Sequence, residues 1–539
     1  MSRSRRIAKD FLFLALCCVP VWFSLGDHAI HGDSEARYGV IARGMAEGDA
    51  PWLVPHYFDR PHLTKPPGNY WLLAGSIRLL GDGEWALRLP AAISGTLTLA
   101  LCLFVGRRLY GPHAATTATA LLAVTPLFVA VARLGITDSP LSLCIALTII
   151  AGLLAEISNK LLIRILLWIS LSAGLFIKGP VALLGIGALL IWMVIRRLRA
   201  EPGLPPAPLR LGWSWGLPLA CLPLGLWLTY IAVRQPDALA IWNYEIVDRA
   251  TGAGDHPAPW WYFGPVFLFG LLPSTVLLCP PSPLFRPLAA LFCQLKTYVI
   301  GHQHFPFDAT SWQTNEQCSV SNLMNSDHLG ATQISTITPW VVMIAITLTV
   351  FTLITGKLTS YLMPICLPTA MVAAVIAERR GTLDANRVWK PGIILCVGGG
   401  LLLAAEVAEH FWFHPTARDL VQIVQTQTGL SEPRILTVGF GEPALAYYSR
   451  RPTTWVDPRL TRELWESLPR AEVVVLADPE AWQGFAESPT WDPADRYERL
   501  DWHFPLPHRD GVGDAYRILP RHHRPAGALT GAADELLQR

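Results

Sequence analysis

Residues 161–199 read LLIRILLWISLSAGLFIKGPVALLGIGALLIWMVIRRLR. Two apolar runs, 161–175 and 181–195, each approach the length of about 20 residues with which a helix crosses a bilayer. Basic residues lie at both outer ends, and Lys178 interrupts the middle. Because Lys and Arg accumulate in cytoplasmic loops, this stretch predicts two membrane helices that form a hairpin, with Lys178 in an exoplasmic turn.

The composition of the whole chain also indicates a membrane protein. Of 539 residues, 52% are hydrophobic and 16% are charged, whereas about 25% of the residues in a soluble domain are charged. The mean hydropathy is +0.35. From Trp412 onward the charged fraction rises to roughly a quarter, so the sequence predicts a membrane domain over 1–411 and a soluble domain over 412–539. A net charge of +2 without a basic stripe excludes a nucleic-acid-binding protein.

Apolar runs recur throughout the membrane domain. The basic N-terminus is followed by the apolar run 11–25. Near its end the run has Pro20, Trp22 and Phe23, whereas a signal peptide ends in small residues at its cleavage site. We therefore expect a retained helix and not a signal peptide. In total about 11 to 13 membrane helices are predicted. The runs after the first lie at 89–105, 114–131, 140–154, 161–175, 181–195, 211–233, 260–278, 340–354, 361–376 and 391–407. Basic clusters between them fall on one face, which places loop 27–88 and the tail on the exoplasmic face.

Two further segments have distinct patterns. The tail alternates predicted helices at 418–428 and 442–448 with predicted strands at 434–438 and 472–477, which is typical of a small α/β domain. Residues 293–338 are rich in Gln, Asn, Ser, Thr and His. They lack helical periodicity and are predicted to be a long connection without regular structure, either a disordered insertion or a stretch from a different reading frame.

Polar residues that are candidates for catalysis or binding concentrate on the exoplasmic side. Loop 27–88 contains HGDSEARY at 31–38 and LTKPPGNYW at 63–71. One interpretation is an interfacial loop in which Asp33 or Glu35 caps a helix. Further motifs follow in later loops, and the set comprises WLVP at 52–55, EWALRLP at 84–90, GITD at 135–138, FIKGP at 176–180, PWWY at 259–262 and GKLTSY at 356–361.

In this order the motifs resemble those of membrane glycosyltransferases that use polyprenyl-phosphate sugars. That group includes the aminoarabinose transferases that modify lipid A and the protein O-mannosyltransferases, and the resemblance spans about residues 5–376. It implies a polytopic α-helical GT-C fold in the cell inner membrane, with a small periplasmic α/β domain. It also implies an undecaprenyl-phosphate sugar donor, an acceptor that is lipid A, another glycolipid or a protein hydroxyl, and a monomer.

The resemblance assigns catalytic roles to Asp33, Glu35 and Asp138. Displacement at the anomeric carbon needs a carboxylate that takes the proton of the acceptor. The family usually has adjacent Asp and Glu in its first motif, whereas Ser34 separates the two acids here. We favour Asp33 as the base, with Glu35, or both as a coupled pair, as alternatives. Asp138 has the alternative role of a helix cap.

Cations are required to hold the phosphate as its charge grows. The candidates for this role are Lys65, Lys178, Lys357, Arg37 and His256, and those for the substrate pocket are Tyr38, Tyr70 and Tyr361. Alternatively, Lys178 and Lys357 are long amphipathic side chains that reach to the membrane interface. Residues 260–262 are alternatively part of an aromatic belt at that interface.

No cofactor is required by this chemistry. A divalent cation bound by Asp33 and Glu35 is an alternative to a base. Aminoarabinose transferases have Glu directly before the Lys-Pro pair, whereas Thr64 stands there in this chain, and this difference weakens the case for an amino sugar. A transporter of a lipid-linked sugar is the main alternative function, although it would place ionisable residues near the bilayer midplane. A scaffold protein that binds through its tail is a third class.

Overall fold

The fold was analysed in a computed structural model of the chain. It describes residues 3–30, 32–158, 160–198, 211–245, 257–278 and 328–380. In the tail it describes 416–438, 444–452, 454–456, 473–477, 496–505 and 512–519, and positions 398, 400 and 482 stand alone. The predicted run 391–407 therefore lies outside the described residues, apart from positions 398 and 400.

Helices dominate the predicted membrane domain. In chain order they are α1 Arg3–Trp22, α2 Asp33–Glu47, α3 Gly68–Leu80, α4 Glu84–Tyr110, α5 Pro112–Ala123, α6 Pro126–Ala132, α7 Asp138–Ile157, α8 Leu161–Lys178, α9 Leu183–Leu198, α10 Trp213–Arg234, α11 Ala238–Asn243, α12 Phe263–Gly270, α13 Ser274–Leu278, α14 His328–Leu353 and α15 Cys366–Arg379. Short 3₁₀ helices cover Gly179–Ala182, Trp260–Tyr262 and Thr359–Ile365. A small hairpin, β1 His56–Tyr57 and β2 Arg60–Pro61, lies between α2 and α3.

Several of these helices are suited to a membrane. Five helical stretches of the described residues are long and apolar enough to cross one, or six if the bent pair α5 and α6 forms one span. One of the five, Leu161–Leu198, has 38 residues, far more than the about 20 that a single crossing needs. The polytopic helical class is therefore confirmed, while the count of 11 to 13 stays a prediction.

Close contacts at two glycines and one ion pair show the relative directions of α7, α8 and α9. A Cβ on Gly185 would lie 3.3 Å from Ile145, and one on Gly152 only 2.4 Å from Leu189, so α9 runs parallel to α7. The C-terminal end of α8 lies beside the N-terminal end of α7, where Lys178 pairs with Asp138. α8 and α9 therefore run in opposite directions and form the predicted hairpin, which puts Lys178 in its turn.

Three predicted segments differ from the structure. The run 114–131 is divided between α5 and α6, which are bent by 65° relative to each other. Residues 260–278 do not form one straight helix, because they divide into a 3₁₀ turn, α12 and α13. Pro273 lies between α12 and α13, and proline interrupts the hydrogen bonding of a helix. The supposedly irregular segment 293–338 is helical from His328 onward, where α14 begins. Its residues 293–327 lie outside the described residues.

The tail has the predicted α/β character. Its elements are α16 Ala417–Thr428, β3 Arg434–Val438, α17 Leu445–Ser449, β4 Thr454–Val456, β5 Val473–Ala477, β6 Arg496–Pro505 and β7 Val512–Leu519. The strands form one sheet in the order β4-β3-β5-β7-β6. β3 pairs in parallel with β4 and β5, whereas β7 is antiparallel to both of its neighbours. α16 begins with a capping box between Thr416 and Asp419, which satisfies backbone groups at the helix start.

We predict that Gly68→Ala destabilises the fold. A Cβ at Gly68 would lie 2.5 Å from the carbonyl oxygen of Phe176 on α8, so the start of α3 would have to move. Overpacking of this kind costs about 1 to 3 kcal/mol. The control is Gly75→Ala on the same helix, where a Cβ meets nothing within 4 Å and alanine favours the helix. Thermal unfolding in detergent should show a lower Tm for Gly68→Ala alone, and equal Tm values for the two variants would contradict the close approach of α3 and α8.

Candidate functional site

Tyr38 lies at the centre of a cluster of candidate residues. The amino group of Lys65 donates a hydrogen bond to the Tyr38 hydroxyl and lies 4.9 Å from the centre of its ring. The ring of Tyr70 packs edge-on against Tyr38 at 5.3 Å. α2 supplies Tyr38, Lys65 lies in the segment that leads into α3, and Tyr70 lies in the first turn of α3. The KPPGNYW motif is thus folded against the EARY motif.

A buried ion pair borders this cluster. Lys178 Nζ lies 2.7 Å from Asp138 Oδ1, and the two side chains are only 11% and 6% exposed. Lys178 also lies 5.1 Å from the ring centre of Tyr361. Asp138 is the first residue of α7, and the N-cap residue Thr137 makes no side-chain capping bond. The ion pair favours a place in the pocket for Asp138 and Lys178 over the alternatives of a helix cap and an interfacial lysine.

The charges of the pair reach Tyr38. Burial raises the pKa of Tyr38 to about 12, and Lys178, Asp138 and Arg37 are close enough to modify it. Burial also raises the pKa of Tyr70 well above its usual value. Both hydroxyls therefore stay protonated at neutral pH. The structure thus brings seven predicted residues together in one site: Arg37, Tyr38, Lys65, Tyr70, Asp138, Lys178 and Tyr361.

Asp33 stands at the edge of this site. It begins α2, where Gly32 is the N-cap residue and no side chain caps the helix. Asp33 forms an ion pair with Arg37 one turn later, and its side chain is 50% exposed. Arg37 thereby links Asp33 to the cluster around Tyr38. The carboxylate is accessible enough to meet an acceptor, as a base must be.

Glu35 has a different environment. It is 2% exposed, and both carboxylate oxygens bind Arg88, at 2.9 Å from Nε and 3.1 Å from Nη2. The backbone N–H of Gly135 donates to the same carboxylate at 2.8 Å. Arg88 in turn donates to the carbonyl oxygens of residues 25, 28 and 29. These contacts favour a structural role for Glu35 and leave Asp33 as the better candidate for the base.

Two predicted cations are less well connected to the site. Lys357 is 5% exposed, and its amino group donates to the carbonyl oxygen of Ile354, three residues earlier. His256 lies outside the described residues. The residue after it, Pro257, forms a β-bridge with Gly356, so the chain that follows His256 runs beside Lys357.

Three further residues bear on the site and were not predicted from the sequence. Arg88 lies in the quoted EWALRLP motif, but nothing in that motif indicated its partner Glu35. His62 bonds to the Thr64 hydroxyl at 2.8 Å and packs near Tyr70. Glu245 lies close enough to influence Tyr38 and Tyr70 electrostatically. Its position between the predicted runs 211–233 and 260–278 was the signal that could have identified it.

The acidic residues do not form a preassembled metal site in the part of the chain that the structure describes. No group of three or more His, Cys, Asp or Glu side chains lies close enough there to hold an ion. Of the two acids considered as ligands, Glu35 has both oxygens bound to Arg88. The arrangement does not favour the alternative in which Asp33 and Glu35 bind a divalent cation together.

We predict that Glu35→Gln lowers stability strongly. The glutamine keeps the shape but leaves Arg88 as a buried charge without its counter-ion, which costs about 3 kcal/mol or more. The control is Glu47→Gln at the other end of α2, where the pair with Arg450 is exposed and contributes at most about 1 kcal/mol. Tm values in detergent should separate the two variants, and similar small losses for both would contradict the structural role of Glu35.

A second prediction concerns pH. Burial, with help from Arg37 and Lys65, lowers the pKa of His62 to about 3, whereas an unfolded histidine titrates near about 6.5. The unfolded state therefore takes up a proton first as the pH falls, and stability declines below about pH 6.5, by about 1 kcal/mol at about pH 5.5. His62→Gln should show a smaller Tm difference between about pH 7.5 and 5.5. An unchanged difference would show that His62 is not held neutral.

The chain is similar in sequence to known membrane transferases. Residues 64–204 match the family model described as dolichyl-phosphate-mannose-protein mannosyltransferase. The chain is 29% identical over 287 residues to an undecaprenyl phosphate-alpha-4-amino-4-deoxy-L-arabinose arabinosyl transferase of Edwardsiella ictaluri, covering 51% of this chain and 50% of that protein. It is 30% identical to the protein of the same name from Erwinia tasmaniensis, covering 46% and 45%. The chain thus matches about half the length of these relatives. Both are transferases, so they give the transporter alternative no support.

Solved structures extend the likeness to nearly the whole chain. ArnT from Cupriavidus metallidurans in the apo state superposes with a TM-score of 0.66 at 17% identity, over 95% of this chain and 98% of that one. The same protein bound to undecaprenyl phosphate gives a TM-score of 0.64 at 16% identity, over 96% and 98%. At such identities the likeness concerns the fold. This chain therefore has the polytopic helical GT-C fold that ArnT has.

Proposed function

We propose that this protein is an integral-membrane glycosyltransferase that moves a sugar from an undecaprenyl-phosphate carrier to an envelope acceptor. The observation that carries the proposal is the cluster around Tyr38, where Lys65, Lys178 and Arg37 approach one tyrosine. These cations come from three different parts of the chain. Three cationic side chains at the end of an apolar helix bundle can donate hydrogen bonds to a phosphate whose lipid tail remains in the bilayer. ArnT, which shares the fold, has been solved with undecaprenyl phosphate bound.

The reaction requires one displacement. The acceptor oxygen forms a bond to the anomeric carbon, while the bond from that carbon to the phosphate oxygen breaks and polyprenyl phosphate leaves. Asp33 takes the proton of the acceptor hydroxyl, because its carboxylate is half exposed at the edge of the cluster. The cations stabilise the charge that grows on the phosphate. Asp138 keeps Lys178 in position through their ion pair.

The donor sugar in this proposal lacks an amino group. Thr64 stands where the aminoarabinose transferases have a glutamate, and its hydroxyl bonds to His62. Neither a hydroxyl nor an imidazole carries negative charge, so the Thr64–His62 pair offers none that would attract an ammonium group. Equal turnover of a neutral hexose donor and an aminoarabinose donor would contradict this assignment.

The proposed location is the inner membrane, with the site and the tail on the periplasmic face. There the acceptor is lipid A, another glycolipid or a protein hydroxyl. Mass spectrometry of lipid A and of glycoproteins from a deletion strain identifies the acceptor, since its mass should fall by one sugar unit. An unaltered set of glycolipids and glycoproteins would contradict an envelope acceptor.

We predict that Asp33→Asn abolishes most of the transfer. Losing a general base lowers kcat by about 100-fold or more, while the cations that bind the donor remain. The assay follows a labelled sugar from a polyprenyl-phosphate donor in purified membranes. Asp49→Asn is the matched control, because Asp49 is an exposed acid just beyond the other end of α2. Wild-type rates in Asp33→Asn would exclude Asp33 as the base.

A further inference from the structure

The tail contacts the same helix that carries the candidate base. Two consecutive tyrosines of α17, Tyr447 and Tyr448, project onto the chain around α2. The two tyrosines are far from α2 in sequence, since Tyr447 lies 404 positions after Arg43. None of the sequence motifs quoted for the membrane domain predicted this contact.

Tyr447 packs directly on α2. Its ring lies so close to Gly39 that a Cβ there would come within 2.7 Å of two ring carbons. The guanidinium of Arg43 lies 4.1 Å from the centre of the same ring and donates to the Tyr447 carbonyl oxygen at 2.8 Å. The Tyr447 hydroxyl donates to Asp82 at 3.1 Å. Because Gly39 directly follows Tyr38, this packing fixes the helix next to the centre of the cluster.

Tyr448 holds the chain just before α2. Its hydroxyl accepts a hydrogen bond from the backbone N–H of Ile30 at 2.7 Å and donates one to Glu84 at 2.8 Å. Ile30 lies three residues before Asp33. Burial raises the pKa of Tyr448, with Glu84 adding to the shift, so the hydroxyl keeps its proton for that bond.

Charged residues of the tail strengthen the contact at both ends of α2. Arg418 pairs with Glu84 at 2.6 Å, beside the segment that leads into the helix. Arg450 pairs with Glu47 at 3.1 Å and with Asp82 at 3.0 Å, at the end of the helix. The tail therefore contacts α2 at Gly39, Arg43 and Glu47, and the chain just before it at Ile30.

We propose that the tail is a positioning element for the reaction, and that Tyr447 and Tyr448 are positioning residues that set α2, and with it Asp33, Arg37 and Tyr38, against the donor site. This inference rests on the proposed function for its catalytic readout. Its structural part, that the tail orders α2 and the residues before it, holds independently of any activity.

The test uses the full-length protein and Tyr448→Phe, which keeps the ring and removes the hydroxyl bonds to Ile30 and Glu84. The control is Arg451→Gln, which affects the exposed pair between Arg451 and Glu432 within the tail. Hydrogen exchange of residues 28–40 is measured by mass spectrometry for wild type and both variants. We expect faster exchange of this segment in Tyr448→Phe alone, because one of its backbone N–H groups loses its acceptor.

Kinetics supply the second readout. With a polyprenyl-phosphate sugar, Tyr448→Phe should lower kcat about three- to tenfold, while the KM for the donor changes less, because Lys65 and Lys178 lie outside α2. Tyr447→Phe, which removes only the bond to Asp82, should act in the same direction.

The outcomes separate the two proposals. Equal exchange of residues 28–40 in Tyr448→Phe and Arg451→Gln overturns the positioning role, whether or not the chain transfers sugar. A wild-type protein without any transfer, combined with faster exchange in Tyr448→Phe, supports the ordering of α2 by the tail and contradicts the proposed function. Faster exchange with an unchanged kcat in an active enzyme overturns the link between the tail and the reaction.

Discussion

The hydrogen-bond network around the ion pair of Glu35 and Arg88 is the constraint on which the rest of the site depends. The carboxylate accepts two bonds from Arg88 and one from the turn before α7, and Arg88 binds three carbonyl groups of the chain before α2. One buried pair therefore joins α2, α4, the turn at Gly135 and the segment 25–29. A buried pair is tolerated only when its remaining donors and acceptors are satisfied, and here the loop backbone satisfies them. The same bonds fix the direction of α2 and so the side on which its other polar residues lie.

Helix geometry then explains why two nearby acids have different surroundings. Positions two apart on an α-helix lie roughly 200° apart around its axis, so Asp33 and Glu35 point to opposite sides. Positions four apart lie on the same side, which is why Asp33 meets Arg37. The serine between the acids thus separates an anchoring carboxylate from an accessible one. In contrast, the pair of Asp138 and Lys178 depends on the hairpin of α8 and α9, which returns the lysine to the start of α7.

Much of this arrangement could be predicted from the sequence, because apolar runs and basic clusters have strong physical signals. They correctly indicated the helical class and the hairpin at Lys178, and the motif order indicated the residues that meet at Tyr38. The Glu35 partner was not predictable, since a single arginine gives no indication of which acid 53 residues away it will bind. The contacts of Tyr447 and Tyr448 depend on how the tail docks, and periodicity carries no information about docking. Strands β6 and β7 were missed because charged and aromatic residues obscure their alternation.

The central claim is that the cluster around Tyr38 recognises the phosphate of a lipid carrier, and ligand binding tests it most directly. Purified protein is titrated with undecaprenyl phosphate or with undecaprenol, which has the same tail and no charge, and the Tm is measured. The account predicts a clear rise for the phosphate, equivalent to about 2.7 kcal/mol at 100 times the Kd, and little for the alcohol. The rise should be lost in Lys178→Gln and kept in Lys160→Gln, at the exposed opposite end of α8. Equal stabilisation by the two lipids, or an undiminished rise in Lys178→Gln, would contradict the account.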